Sequence, residues 1–215
     1  MTKQRTNLAK MAGNRLARLS AALLVALLAF GAVPAAHSSA APAPASGPGR
    51  SGFAIGQLLP LEPLIVQDRS HDTDNPDNQL YALYQILNTG ATAIPLSSLT
   101  MRYWLTDQAP TDPLVFACDW AQVSCSNITS KFVVLSTPAA KANTYLQIGF
   151  TAAAGSIAPG QNSGEIQTRI HHASYSNFDT SLCYSFTSDP SFVYKNTQTV
   201  TLYLNGVLIW GTEPS

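Results

Sequence analysis

Thr199-Val-Thr-Leu-Tyr-Leu-Asn-Gly-Val-Leu-Ile-Trp-Gly-Thr-Glu-Pro214 is the stretch that decides the fold class. Two apolar-rich runs flank Asn205-Gly206. Asn-Gly supplies the two positive-φ residues of a type I′ turn, so the segment predicts a β-hairpin with a two-residue loop. The sequence stops one residue later, at Ser215, and no helical pattern follows the hairpin. A hairpin in that position points to an all-β domain.

Upstream, period-2 patterns recur and helical periodicity is nearly absent. Leu80–Leu87 is an apolar-aromatic run closed by the turn Asn88-Thr-Gly90. Leu99–Leu105, Phe132–Leu135, Tyr145–Phe150, Ile166–Ile170, Val200–Leu204 and Val207–Trp210 read as further strands. Ala109-Pro, Thr137-Pro, Ala158-Pro-Gly160 and Asp189-Pro punctuate them. Short strands separated by Gly/Pro turns predict a β-sandwich or barrel. Within Glu165-Ile-Gln-Thr-Arg-Ile-His171, Ile166 and Ile170 share one face, and Glu165, Gln167, Arg169 and His171 share the other. Gln167 and Arg169 are therefore expected on the solvent side of a sheet.

The first part of the chain reads differently. Lys3, Arg5, Lys10, Arg15 and Arg18 precede the apolar run Leu19–Val33, and small residues follow at Pro34–Ala41. Basic, apolar and small-residue regions in that order predict a secretory signal peptide over residues 1–39 and an extracellular product. Residues 40–56 form a Pro/Ala/Gly-rich linker, which leaves residues 57–215 as one folded module. Five of the twelve basic residues lie in the leader, so seven remain against twelve acids, a net charge of −5. An acidic exported domain is a poor partner for nucleic acid or an anionic membrane.

Three cysteines in an exported chain allow one disulfide and one remaining thiol. Cys118 and Cys125 bracket a short loop and are the expected disulfide pair. Cys183 is then the free one, in Leu182-Cys-Tyr-Ser-Phe186, which reads as the start of a strand with the thiol buried. Catalytic motifs are lacking: His37, His71, His171 and His172 form no zinc-spaced set, and no Gly-x-Ser-x-Gly elbow occurs. A glycosidase needs two facing carboxylates, and Asp72-Thr-Asp74-Asn-Pro-Asp77 reads as a polar loop instead. A copper site built on His37 would sit on the linker, not on a rigid element.

The segments Ile86-Leu-Asn-Thr-Gly90, Leu99-Thr-Met-Arg-Tyr-Trp104, Cys118-Asp-Trp-Ala121, Asn143–Phe150, Ile166-Gln-Thr-Arg169, Tyr184-Ser-Phe186 and Tyr203–Pro214 occur in this order. Together they resemble a family 3 carbohydrate-binding module, the cellulose-binding module of scaffoldins and bacterial cellulases. The resemblance covers Leu61–Pro214. It implies a jelly-roll sandwich of about nine strands in two antiparallel sheets, with no catalytic activity. It implies adsorption to cellulose through a planar strip, here Asp119, Trp120, Arg169 and Tyr175, with Gln167 and Asn78 as polar anchors. A further aromatic of the strip is replaced by Cys125. Pairing of Asp119 with Arg169 would hold the guanidinium level with the rings. Trp120 lies in a polar loop context, whereas Trp104 and Trp210 lie in alternating strands and read as structural.

No cofactor is required by this reading. The family's structural calcium would use Thr106 and Asp107, with Asp179 as a further carboxylate, but Leu182-Cys183 stands where the family has Asn-Asp. A thiol is a poor ligand for a hard, oxygen-seeking cation. The expected partners are cellulose or a related insoluble β-glucan, and separate cellulases. The competing expectation is a helper module that contacts a neighbouring domain or linker through a groove on the opposite sheet and does not grip crystalline cellulose.

Overall fold

The computed structural model describes residues 64–215. The leader, the linker and the first residues of the module lie outside that range. The described strands, in chain order, are β1 (Leu64–Arg69), β2 (Gln79–Asn88), β3 (Ile94–Pro95), β4 (Leu99–Leu105), β5 (Leu114–Ala121), β6 (Ile128–Ala139), β7 (Ala142–Phe150), β8 (Ser156–Ile157), β9 (Ile166–His172), β10 (Lys195–Asn196), β11 (Val200–Leu204) and β12 (Val207–Trp210). One sheet runs β10-β1-β2-β9-β5 and the other β12-β11-β4-β7-β6, all antiparallel, and β3 and β8 form a small separate pair. The two large sheets make the expected sandwich; the strand total exceeds the expected nine because it includes three two-residue strands, β3, β8 and β10, whose length carries no readable alternation.

Alternation explains why the sheets stack. Val66, Leu80, Tyr84, Ile86, Ile166 and Ile170 of the first sheet meet Leu99, Met101, Tyr103, Leu146, Ile148 and Leu202 of the second in one buried cluster. The hairpin closes the second sheet as its sequence predicts: Asn205 and Gly206 have φ of 50° and 83°, and Leu204 pairs with Val207.

Besides those two-residue strands, two longer ones, β1 and β5, escape the sequence reading, each for a physical reason. In β1, Leu64, Val66 and Asp68 all point inward, so a carboxylate occupies a core position and breaks the apolar alternation. In β5, a bulge between Cys118 and Trp120 shifts the phase. The segment Leu182–Phe186 is not a strand: it leaves a short 3-10 turn (Thr180–Leu182), and Ser185 clamps it by donating to Thr199 O and accepting from Trp104 N at 2.8 Å. Cys183 is buried there, and burial pushes its thiol up to about 11.

Asp68 is only 7% exposed, and burial raises its carboxyl from 3.8 to about 7. The native state therefore holds a proton that the unfolded chain has already lost between those two values, so stability falls as pH rises through that window. At 1.36 kcal/mol per unit, the loss is at most about 4 kcal/mol. Urea midpoints should be higher at pH 5 than at pH 8, and Asp68→Asn should flatten the difference; an equal slope in the variant would remove Asp68 as its source.

Candidate functional site

The outer face of the first sheet is built by β9 and its neighbours. Gln167 and Arg169 project outward, while Ile166, Thr168 and Ile170 are buried on the inner side. Up to Cys118, β5 follows the same logic, with Phe116 and Cys118 packed against the core. The bulge then inserts Asp119 as an extra residue, so that Ala117 pairs with Arg169 and Trp120 pairs with Gln167. An extra residue reverses the side on which the rest of the strand shows its side chains. Trp120 thereby lies outside, 46% exposed, and Ala121 returns to the core. Trp120 thus belongs to a strand, not to the polar loop expected from its neighbours.

The disulfide Cys118–Cys125, with Cα atoms 5.7 Å apart, fixes the start of the bulge. Cys125 opens a 3-10 turn (Cys125–Asn127) and packs against the core, so it offers no ring to the outer face. Arg169 holds the bulge from the other side. Its Nε donates to both oxygens of Asp119, at 2.9 and 2.8 Å, and its Nη1 donates to Gln79 Oε1 at 2.7 Å. Hydrogen bonding by Asp119 raises the guanidinium above its ordinary value. Gln79 was not singled out from sequence, because its place opposite His171 comes from the cross-strand register of β2 with β9.

Tyr175 is positioned by its loop. It has φ of 58°, unusual for an aromatic residue, and its N–H donates to His172 O at 2.9 Å. Asp112 anchors the loop through Ser174 N at 3.2 Å, Ser174 Oγ and Ser176 Oγ at 3.1 Å. These bonds, the Ser174 hydroxyl first, hold the Asp112 carboxyl below its ordinary value. The Tyr175 ring lies on His171, with centroids 4.3 Å apart and planes 4° from parallel. That explains why His171, on the outward parity, is buried while Tyr175 is 48% exposed.

Along β9 the face therefore presents Tyr175 over His171, then Arg169 with Asp119, then Gln167 beside Trp120. Two two-residue strand steps separate the ends, roughly 13 Å. Gln167 donates to Glu165, which also accepts from Tyr194 at 2.7 Å and from Arg69 at 3.0 Å. Burial pushes Glu165 up, but these three partners outweigh it and leave the carboxyl lowered. Asn78 is half-buried immediately before β2, outside this cluster of contacts.

The proposed calcium ligands are brought near one another but are already committed. Asp107 Oδ1 faces His172 Nε2 at 3.1 Å and accepts from Ala109 N at 3.0 Å. Asp107 N and O are both bonded to the Asn143 amide at 2.8 Å. The backbone of Thr106 contacts the Cys183 thiol. Asp179 turns away to cap Ser181, at 3.1 Å to its N and 2.6 Å to its Oγ. This donor set does not fit a calcium ion, because a ring nitrogen and a thiol stand where oxygens are needed. Among the described residues, no three His, Cys, Asp or Glu side chains group to hold a metal.

The two-sheet sandwich thus displays two exposed rings and a clamped guanidinium on one outer face. Residues 65–211 match the family model described as Cellulose binding domain, and the chain belongs to that family of non-catalytic carbohydrate-binding modules. It is 39% identical over 148 residues to "Beta-mannanase/endoglucanase A" of Caldicellulosiruptor saccharolyticus, covering 67% of this chain and 11% of that protein. It is 37% identical over 160 residues to "Cellulosomal-scaffolding protein B" of Acetivibrio thermocellus, covering 70% and 20%. Among solved structures, the CBM3b of the scaffoldin ScaA from Acetivibrio cellulolyticus superposes with a TM-score of 0.66 at 33% identity, covering 72% of this chain and 98% of that one. The chain spans 11%, 21% and 30% of the length of three relatives named as glucanases.

Because the disulfide pins the bulge, replacing both Cys118 and Cys125 by Ser should cost roughly 2.5 kcal/mol through the short loop it closes. Tryptophan fluorescence should shift as Trp120 loses its fixed setting. Unchanged stability and spectrum would show that Asp119–Arg169 holds the bulge alone. Asp112→Ala should speed amide exchange over residues 173–177 with little change in Tm; unaltered exchange would mean that Asp112 does not hold the Tyr175 loop.

Proposed function

We propose that this module is exported and adsorbs to cellulose, or a related insoluble β-glucan, through the face carrying Asp119, Trp120, Arg169 and Tyr175. The observation that carries the reading is the exposure of Trp120 and Tyr175 on one outer face with the Arg169–Asp119 pair between them. Pyranose rings present flat faces of C–H that stack on aromatic planes, while equatorial hydroxyls reach sideways to polar groups. Gln167 and Asn78 are the polar anchors of this reading. Export is supported by the basic, apolar and small-residue order of residues 1–39. Cellulases on separate chains are the partners it would serve.

Magnitudes set the strength of the grip. Stacking one ring hides about 60 Å² of apolar surface, hence about 1.5 kcal/mol. Two stacks scarcely offset the association cost of about 4 kcal/mol or more. Adsorption then depends on the polar members and on a repeating surface. With Cys125 tied into the disulfide, this strip has one ring fewer than the family pattern, and its adsorption is correspondingly weaker.

Microcrystalline cellulose should deplete the protein from solution at low ionic strength; no depletion would sink the reading. Trp120→Ala and Tyr175→Ala should each lower the adsorption constant about tenfold, with Tm nearly unmoved; retention of full adsorption by both would move the site elsewhere. The module is further proposed to need no calcium: EDTA should leave Tm unmoved, and a marked fall would restore the ion.

A further inference from the structure

A second stacked pair of rings stands beside the strip. The β1–β2 register ends at Arg69 opposite Leu83. Continuing it two residues in each strand brings His71 opposite Tyr81. Their rings are stacked, with centroids 4.4 Å apart and planes 29° from parallel. Tyr81 is half-buried and His71 is exposed, so the imidazole is the outer ring of this pair, as Tyr175 is the outer ring over His171.

Both pairs flank the same cation. Tyr81 pairs across the sheet with Arg169, and Tyr175 lies on His171, the next outward residue of β9 after Arg169. The directions differ, however. Tyr175, Arg169 and Trp120 follow the strands of β9 and β5. The row Ala117, Arg169, Tyr81, His71 crosses the sheet from β5 to the end of β1. His71 lies two strand spacings from Arg169, about 10 Å to the side of the strip. A ring displaced sideways by that much leaves the track of a single extended glucan. On a flat crystal face, the sugar it meets belongs to the chain lying alongside.

We propose that His71, backed by Tyr81, is a further sugar-stacking ring that takes the glucan chain adjacent to the one under Trp120 and Tyr175. The inference rests on the cellulose-binding reading above. It gives the face two parallel tracks joined by Arg169, and it supplies a ring in a chain whose Cys125 offers none. A ring pre-stacked on a half-buried tyrosine loses little rotamer freedom on contact, which favours binding. Two tracks also give selectivity, because only an ordered surface presents neighbouring chains at fixed spacing.

Adsorption isotherms on microcrystalline cellulose and on amorphous, acid-swollen cellulose test this with the whole protein. His71→Ala should lower the adsorption constant on the crystalline form about fivefold and leave the amorphous value within about twofold. His71→Trp should raise the crystalline value, and Tyr81→Leu should reproduce the His71→Ala loss. His71 is an exposed loop residue, so the His71→Ala result stands even where Tyr81→Leu lowers Tm. Wild-type adsorption with an unchanged His71→Ala isotherm would overturn the second track and leave the cellulose reading intact. An equal loss on both substrates would place His71 on the same chain as the strip and overturn the two-track assignment. Failure of the wild type to adsorb would bring down the cellulose reading and this inference together.

Discussion

The bulge at Asp119 is the constraint on which the outer face depends. Without the extra residue, Trp120 would keep the phase of Phe116 and Cys118 and point into the core. Two independent attachments hold the shift in place. The disulfide anchors Cys118 on one side, and Arg169 binds both carboxylate oxygens of Asp119 across the strand pair. A bulged edge strand also twists away from regular pairing, which protects this end of the sheet against edge-to-edge association. The same device therefore exposes a large ring and spares the edge.

Preorganisation is the common theme of the other groups on that face. Arg169 carries long-chain rotamer entropy, but Asp119 and Gln79 fix both ends of its guanidinium. Tyr175 sits on His171 in a loop tied down by Asp112, and its left-handed backbone is a strain the loop bonds sustain. In the proposed adsorption, weak stacking contacts contribute only when little freedom remains to be lost, so rigid side chains would matter more than many of them.

Alternation made the sandwich legible, since apolar residues at period 2 can only serve a half-buried sheet. It also put Gln167 and Arg169 outward, as the structure has them. It failed where phase was broken: the buried Asp68 disguised β1, and the bulge disguised β5 and made Trp120 read as a loop residue. Gln79 and the His71–Tyr81 stack escaped because both arise from cross-strand register, which residue spacing along one strand does not encode. The imidazole of His172, which faces Asp107, comes from β9, and no spacing along the chain announces that contact.

The opposite sheet shows why rings alone do not make a platform. Its outer face also carries Trp104, Tyr145 and Tyr203, yet Arg102 fills the space among them, with its guanidinium carbon 4.1 Å from the Tyr203 centroid and 4.6 Å from that of Tyr145. Glu213 then binds Arg102 at 3.1 Å and accepts from the Tyr203 hydroxyl. Trp104 donates to Thr201 at 3.0 Å and is buried, consistent with a structural tryptophan. Those rings are spent on an internal cation, and their faces are covered by it. On the first sheet the corresponding arginine lies between the rings and is bound from the side, which leaves the tops of Tyr175, Trp120 and His71 toward solvent. Arg102 and Arg169 thus differ in what they do: Arg102 fills the space among the rings of its face, whereas Arg169 lies between rings that stay exposed.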